Sequence, residues 1–125
     1  MIKALTDLPN TLVGFEATGE VTADDFKQVV MPAVHSFIRI HGKINYLLLL
    51  NTDIQLFSAG AWIQDIWMGI KDLGKWNRAA IVSDSETIRK VTEVFTKVMP
   101  GEFKVFPHDR YEEAVKWASE AIDLR

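Results

Sequence analysis

Three short polar clusters stand where an α/β protein would do chemistry. "NTD" at residues 51–53, "SDS" at 83–85 and "PHD" at 107–109 each follow a strongly apolar run, and in open parallel sheets ligands bind beyond the carboxyl ends of the strands, beside helix N-termini. Hydroxyls and free backbone N–H groups there suit phosphate or carboxylate. Three aspartates on one rim oppose an anion unless a cation accompanies it, so the two signals cancel. A phosphoaspartate site would need paired acids after the first strand and a lysine after the last, and "TDLP" and "PHDR" supply neither set. Asp53, Asp84 and Asp109 are therefore expected to form turns and cap helices.

Other catalytic patterns are missing from the chain. His35, His41 and His108 do not share the i, i+4 spacing of a helical metal pair and no cysteine joins them, so no metal site is expected. His35 falls opposite the apolar stripe of its helix and should face solvent. There is no G-x-G-x-x-G, no G-x-x-x-x-G-K-[ST] and no G-x-S-x-G, the spacings that cradle phosphates or present a nucleophilic serine. No cofactor and no enzymatic reaction are expected.

Composition narrows the classes further. The 125 residues suit one domain, 1–125, able to bury a core without staples. Zero cysteines exclude disulfides and thiol nucleophiles. A net charge of −3 without a basic run gives no footprint for nucleic acid. The longest apolar run, 46–50, is too short to cross a bilayer, and "MIKALTDLPN" lacks the apolar stretch of a secretory signal. Cytoplasmic residence is the expectation.

The elements that would position these residues follow from periodicity. Residues 2–7 and 12–18 read as strands of a hairpin around "LPN". Next, Phe26, Val29, Val30, Ala33, Val34, Phe37 and Ile38 recur at helical spacing, with Thr22 as N-cap, Asp25 completing a capping box and Gly42 as the left-handed stop. Pro32 predicts a kink or two abutting pieces. "INYLLLLN", 44–51, is apolar on both faces, as in a central strand covered on both sides. A helix over 58–73, a strand "RAAIVSD", a helix over about 85–99 with Ile88, Val91, Phe95 and Val98 inward, a strand "EFKVF" and a final helix complete the order ββαβαβαβα. That is an α/β domain with a mostly parallel mixed sheet and amphipathic helices.

The second helix carries more apolar surface than one sheet can bury. Ala59, Trp62, Ile63, Ile66, Ile70 and Leu73 form its core stripe, whereas Trp67 lies at the stripe's edge and Met68 nearly opposite. Those two call for a second surface: a neighbouring helix, a homodimer partner, a ligand or a membrane. Only Lys71 and Lys75 flank the helix as a membrane-surface helix would require, so peripheral membrane contact would be weak.

"GFEATGEVTADDF", "HGKINYLLLLN", "AGAWIQDI", "KWNRAAIVSD" and Phe106 followed by "EEAVKWA", in this order, resemble the SpoIIAA-like family, a branch of the STAS domain superfamily of sulfate transporters and anti-sigma-factor antagonists. The resemblance implies a STAS-like fold, similar to the CRAL-TRIO lipid-binding domains, and hence helices that could part to admit an apolar molecule. In the antagonists an Asp-Ser-Ser-Gly turn is phosphorylated; aligned on Gly60, Ser58 takes the phosphoacceptor position while Phe57 and Ala59 replace the acid and the second serine. The expectation is a non-enzymatic binding or regulatory module engaging a small apolar or amphipathic ligand, such as a lipid, or a protein partner through Phe57, Ser58, Trp62, Trp67 and Met68. The alternative is an anti-sigma-factor-antagonist-like regulator switched by phosphorylation of Ser58.

Overall fold

The computed structural model of the protein describes residues 1–53, 76–98 and 101–120. The described strands are β1 (Ile2–Ala4), β2 (Val13–Thr18), β3 (Ile44–Asn51), β4 (Trp76–Val82) and β5 (Glu102–Phe106), in one sheet of order β1-β2-β3-β4-β5. β1 runs antiparallel to β2, and all other neighbours are parallel. The fold is α/β with a mostly parallel mixed sheet, as the sequence implies. The expected helix over 58–73 lies outside the described residues.

Thr22 and Asp25 close the capping box: the Thr22 N–H donates to Asp25 Oδ2 at 2.9 Å, and the Asp25 N–H to Thr22 Oγ1 at 3.2 Å. The Thr22 backbone N–H, foremost, holds the Asp25 carboxyl below its usual pKa. The first crossover is then built in three pieces, α1 (Ala23–Asp25), a π-helical stretch (Phe26–Val30) and α2 (Met31–His41). Pro32 stands at the start of α2, where its missing N–H costs least, and the chain widens before it instead of bending sharply. Gly42, at φ 82°, ends α2 in the left-handed region. The remaining described helices are α3 (Glu86–Val98) and, after a 3-10 turn (His108–Arg110), α4 (Tyr111–Ala118). Among the described residues no helix is long and apolar enough to cross a membrane.

Two cores sandwich the sheet. Phe15, Tyr46, Leu48 and Ile81 meet Phe26, Val30, Val34 and Ile88 on one face, here called the first. Leu47, Ala80, Val82 and Phe106 meet Ala114 and Ala118 of α4 on the second. Register lines up Phe15, Leu48, Ile81 and Val105 across four strands, so the first face is apolar from β2 to β5. The expected stripe of the first helix is met: Phe26, Val30, Val34 and Phe37 are buried and His35 is exposed.

One irregularity matters. Ile44 pairs with Trp76 but Asn45 with Arg78, so β4 carries one extra residue, Asn77. This bulge breaks the alternation of side chains. Trp76 and Ala79 both join the first face, while Asn77 and Arg78 both reach the second, where Asn77 Nδ2 donates to Asn45 Oδ1 at 2.7 Å and Arg78 donates to the Trp117 carbonyl at 2.9 Å.

Candidate functional site

The residues named from the sequence, Phe57, Ser58, Trp62, Trp67 and Met68, lie outside the described residues. What flanks them is described. Residues 51–53 precede that segment at the carboxyl end of β3, and Trp76 follows it at the start of β4.

At the carboxyl ends of β3, β4 and β5 the three polar clusters do converge. They line a cavity of about 310 Å³ formed by Leu50, Thr52, Asp53, Ser83, Asp84, Ser85 and His108. The roles differ from the expected turn-and-cap assignment. Ser85, not Asp84, caps α3, its Oγ accepting from the Ile88 N–H at 3.3 Å. Asp84 instead grips His108: Oδ2 lies 2.8 Å from Nδ1, and Oδ1 accepts the His108 backbone N–H at 3.1 Å. The other ring nitrogen, Nε2, lies 2.8 Å from the Leu50 carbonyl oxygen. A carbonyl only accepts, so Nε2 carries hydrogen; a carboxylate favours a donor at Nδ1 as well. The imidazolium satisfies both. Accordingly the Asp84 hydrogen bond raises the His108 pKa, and the His108 hydrogen bond lowers that of Asp84.

This arrangement ties three strand ends together and leaves His108 without a free ring nitrogen. Serine, histidine and aspartate stand close, but Nε2 faces a carbonyl where a hydrolytic triad would present a hydroxyl, and Ser83 Oγ accepts from the Ser85 N–H at 3.1 Å. Among the described residues no three His, Asp or Glu side chains gather in a way that could hold a metal ion.

The first face holds the second feature. Tyr46 and Trp76, on adjacent strands, meet edge to face with ring centroids 5.6 Å apart; Phe15 lies 5.7 Å from Tyr46, and Phe103 lies 5.1 Å from Trp76. Such rings attract one another through their edges and faces. Tyr46 is 0% exposed and Trp76 3%, yet among the described residues neither Tyr46 Oη nor Trp76 Nε1 has a hydrogen-bond partner. Most buried polar atoms are partnered, because each orphan costs about 1–3 kcal/mol. Burial also pushes the Tyr46 phenol well above its usual pKa, so the hydroxyl keeps its proton. The apolar run "YLLLL" gave no hint of this, since the orphaning depends on what neighbouring strands bring alongside.

A second hollow, about 500 Å³, opens at the other end of the sheet between α2 and the β1–β2 edge, where Ala33, Phe37 and Ile40 face Leu5 and Val13. Ile40 is 76% exposed there.

A mostly parallel five-stranded sheet with an aromatic first face and a polar rim at its strand ends defines a STAS-type α/β domain. Residues 12–119 match the SpoIIAA-like family model, and the chain belongs to the SpoIIAA-like family. It is similar to a solved structure from Shewanella loihica PV-4, described as an uncharacterized protein from the DUF3478 family with a SpoIIAA-like fold. The two share 26% identity over 94% of this chain and 93% of that one, with a TM-score of 0.64. No curated protein matches the chain.

Proposed function

We propose that this chain, acting as one SpoIIAA-like domain, is a non-catalytic binding module that takes a small amphipathic molecule between the aromatic first face of its sheet and its second helix. The observation that supports the reading is the pair of orphaned polar atoms, Tyr46 Oη and Trp76 Nε1, within an apolar aromatic cluster. An apolar body with one polar group would fill such a face and satisfy what the fold leaves unsatisfied. Residues 54–75 join two adjacent parallel strands. We take the helix expected over 58–73 as the roof of the site, because right-handed crossovers lie over the face that α2 and α3 cover. Trp62, Trp67 and Met68 then supply the adaptable apolar wall, and Phe57 and Ser58 the entrance.

Native mass spectrometry of the full chain, purified from the cells that make it, tests this. The expected result is a bound organic molecule that is lost on denaturation and is depleted in a Trp67→Ala Met68→Ala variant. Equal native and denatured masses would overturn the reading. An added phosphate that survives denaturation and maps to Ser58 would move the assignment to the phosphorylation-switched regulator.

A further inference from the structure

Independently of the binding reading above, we infer that the hollow between α2 and the β1–β2 edge binds a small aromatic carboxylate, held by an apolar floor and by unpaired cations at the end of α2. At about 500 Å³ the hollow is of a size that takes a small ligand, and described residues line it throughout. Ala33, Phe37 and Ile40 follow one another at helical spacing along one wall, and Leu5, Leu12 and Val13 form the other. Leu12 and Phe37 are buried at the base, whereas Ile40 is the most exposed large apolar side chain among the described residues. Folding leaves Ile40 in water, and a ligand lying over it would take it out. The His41 ring stacks on Phe37, with centroids 4.2 Å apart and planes 31° apart, so this side of the hollow is flat and suits another ring.

Charge decides which polar group the ligand carries. No Asp or Glu lines the hollow, so a cation would find no countercharge there. Asp7, the one carboxylate between Leu5 and Leu12, acts instead on the Tyr111 phenol beside the second core. The α2 helix contains no acidic residue and ends in Arg39 and His41, with Lys43 just beyond Gly42. Among the described residues none of these three forms an ion pair. Cations in a last turn answer the helix dipole, but that dipole amounts to only about half a charge. Two full cations therefore leave a positive surplus beside an apolar hollow, in a protein whose net charge is −3. Arg39 follows Ser36, on the rim, by one turn, within a long side chain's reach. An apolar ring with a carboxylate complements both the floor and the surplus.

The test follows the backbone amide NMR signals of the full chain at pH 7 as three probes with one ring system are added: naphthoate, naphthalenemethanol and naphthalenemethylamine. Naphthoate is expected to bind with a Kd of about 1 mM or below, the range for a ligand of its size, with saturating shifts at Val13, Ser36, Phe37, Ile40 and His41. The alcohol should bind about tenfold more weakly, having lost two exposed charge contacts, and the amine more weakly still. Arg39→Gln combined with Lys43→Gln should bring naphthoate down to the alcohol's affinity and leave the alcohol unchanged, and Ile40→Ser should weaken both about fivefold. All three substituted side chains are exposed, so these variants keep the fold. The inference is overturned if no probe gives saturating shifts at the hollow up to about 10 mM, or if the response centres on Tyr46 and Trp76, which would place the probe in the site proposed above. Equal affinities for the three probes, or an unchanged preference for naphthoate in the double variant, overturn it as well.

Discussion

Replacing Tyr46 with phenylalanine removes one oxygen atom and keeps the ring that packs against Phe15 and Trp76. In an ordinary protein the change loses a hydrogen bond and costs about 1 kcal/mol. Here the sign should reverse. The Tyr46 hydroxyl is buried with no partner among the described residues, so the folded state carries a desolvation penalty of about 1–3 kcal/mol that the unfolded state does not. The void left by an oxygen is smaller than a methyl group, whose loss costs about 1 kcal/mol. The difference favours Tyr46→Phe in the ligand-free protein by about 1 kcal/mol, a rise of about 4 °C in Tm for a domain of this size. Urea unfolding of refolded, ligand-free protein measures it: the midpoint should rise with the slope unchanged. A fall in midpoint would refute the reasoning, because it would mean that the hydroxyl has a partner, such as an enclosed water.

Asn45 donates to the carbonyls of Thr11 and Glu120 at 2.9 Å each and accepts from Asn77, so Asn45→Leu strands three partners and should cost about 3 kcal/mol in a urea titration; a loss below about 1 kcal/mol would contradict the network. At Gly101, φ is +91° and an added Cβ would lie 2.7 Å from the Trp76 carbonyl oxygen, so Gly101→Ala should lose more than about 2 kcal/mol in the same assay, and near-wild-type stability would disprove it. The His108 ring, its pKa raised above 6.5 by Asp84, contributes fully below pH 6.5 and loses that contribution as pH rises through the folded value; Asp84, lowered below 3.8, keeps its contribution above that value and loses it as pH falls through the folded one. The tie is therefore complete between about pH 4 and 6.5. The stability gap between wild type and His108→Gln should be widest near pH 5.5 and shrink toward pH 9, whereas a gap flat with pH would rule out the imidazolium.

Local signals in the chain were read correctly where one element decides its own fate. "INYLLLLN" became β3 because an apolar run on both faces suits only a strand covered on both sides. Thr22, Asp25 and Gly42 bounded the first crossover because capping chemistry is short-range. Pro32 announced a disturbance but not its form, since widening into a π stretch depends on how Phe26 and Val30 seat in the core. What sequence could not disclose is pairing at a distance. Asp84 looked like a turn residue, and its grip on His108, 24 positions away, exists only once β4 and β5 lie side by side. The same holds for the second donor: Trp76 stood just before the strand expected from "RAAIVSD", whereas β4 begins with it. The expected site residues Phe57, Ser58, Trp62, Trp67 and Met68 lie outside the described residues.

The extra residue at Asn77 explains why the sheet has such a face at all. With regular alternation, Trp76 and Arg78 would point the same way, and the indole would share its surroundings with a guanidinium. The bulge separates them. Arg78 goes to the second face, stacks on Trp117 at 4.8 Å and bonds to its carbonyl, while Asn77 and Asn45 secure the end of α4. Trp76 is left among Tyr46 and Phe103, with no cation beside it among the described residues. One inserted residue thus fastens the last helix on one side and, on the other, keeps the Arg78 guanidinium away from a polar-tipped aromatic cluster. The fastening offsets part of what the two buried donors cost.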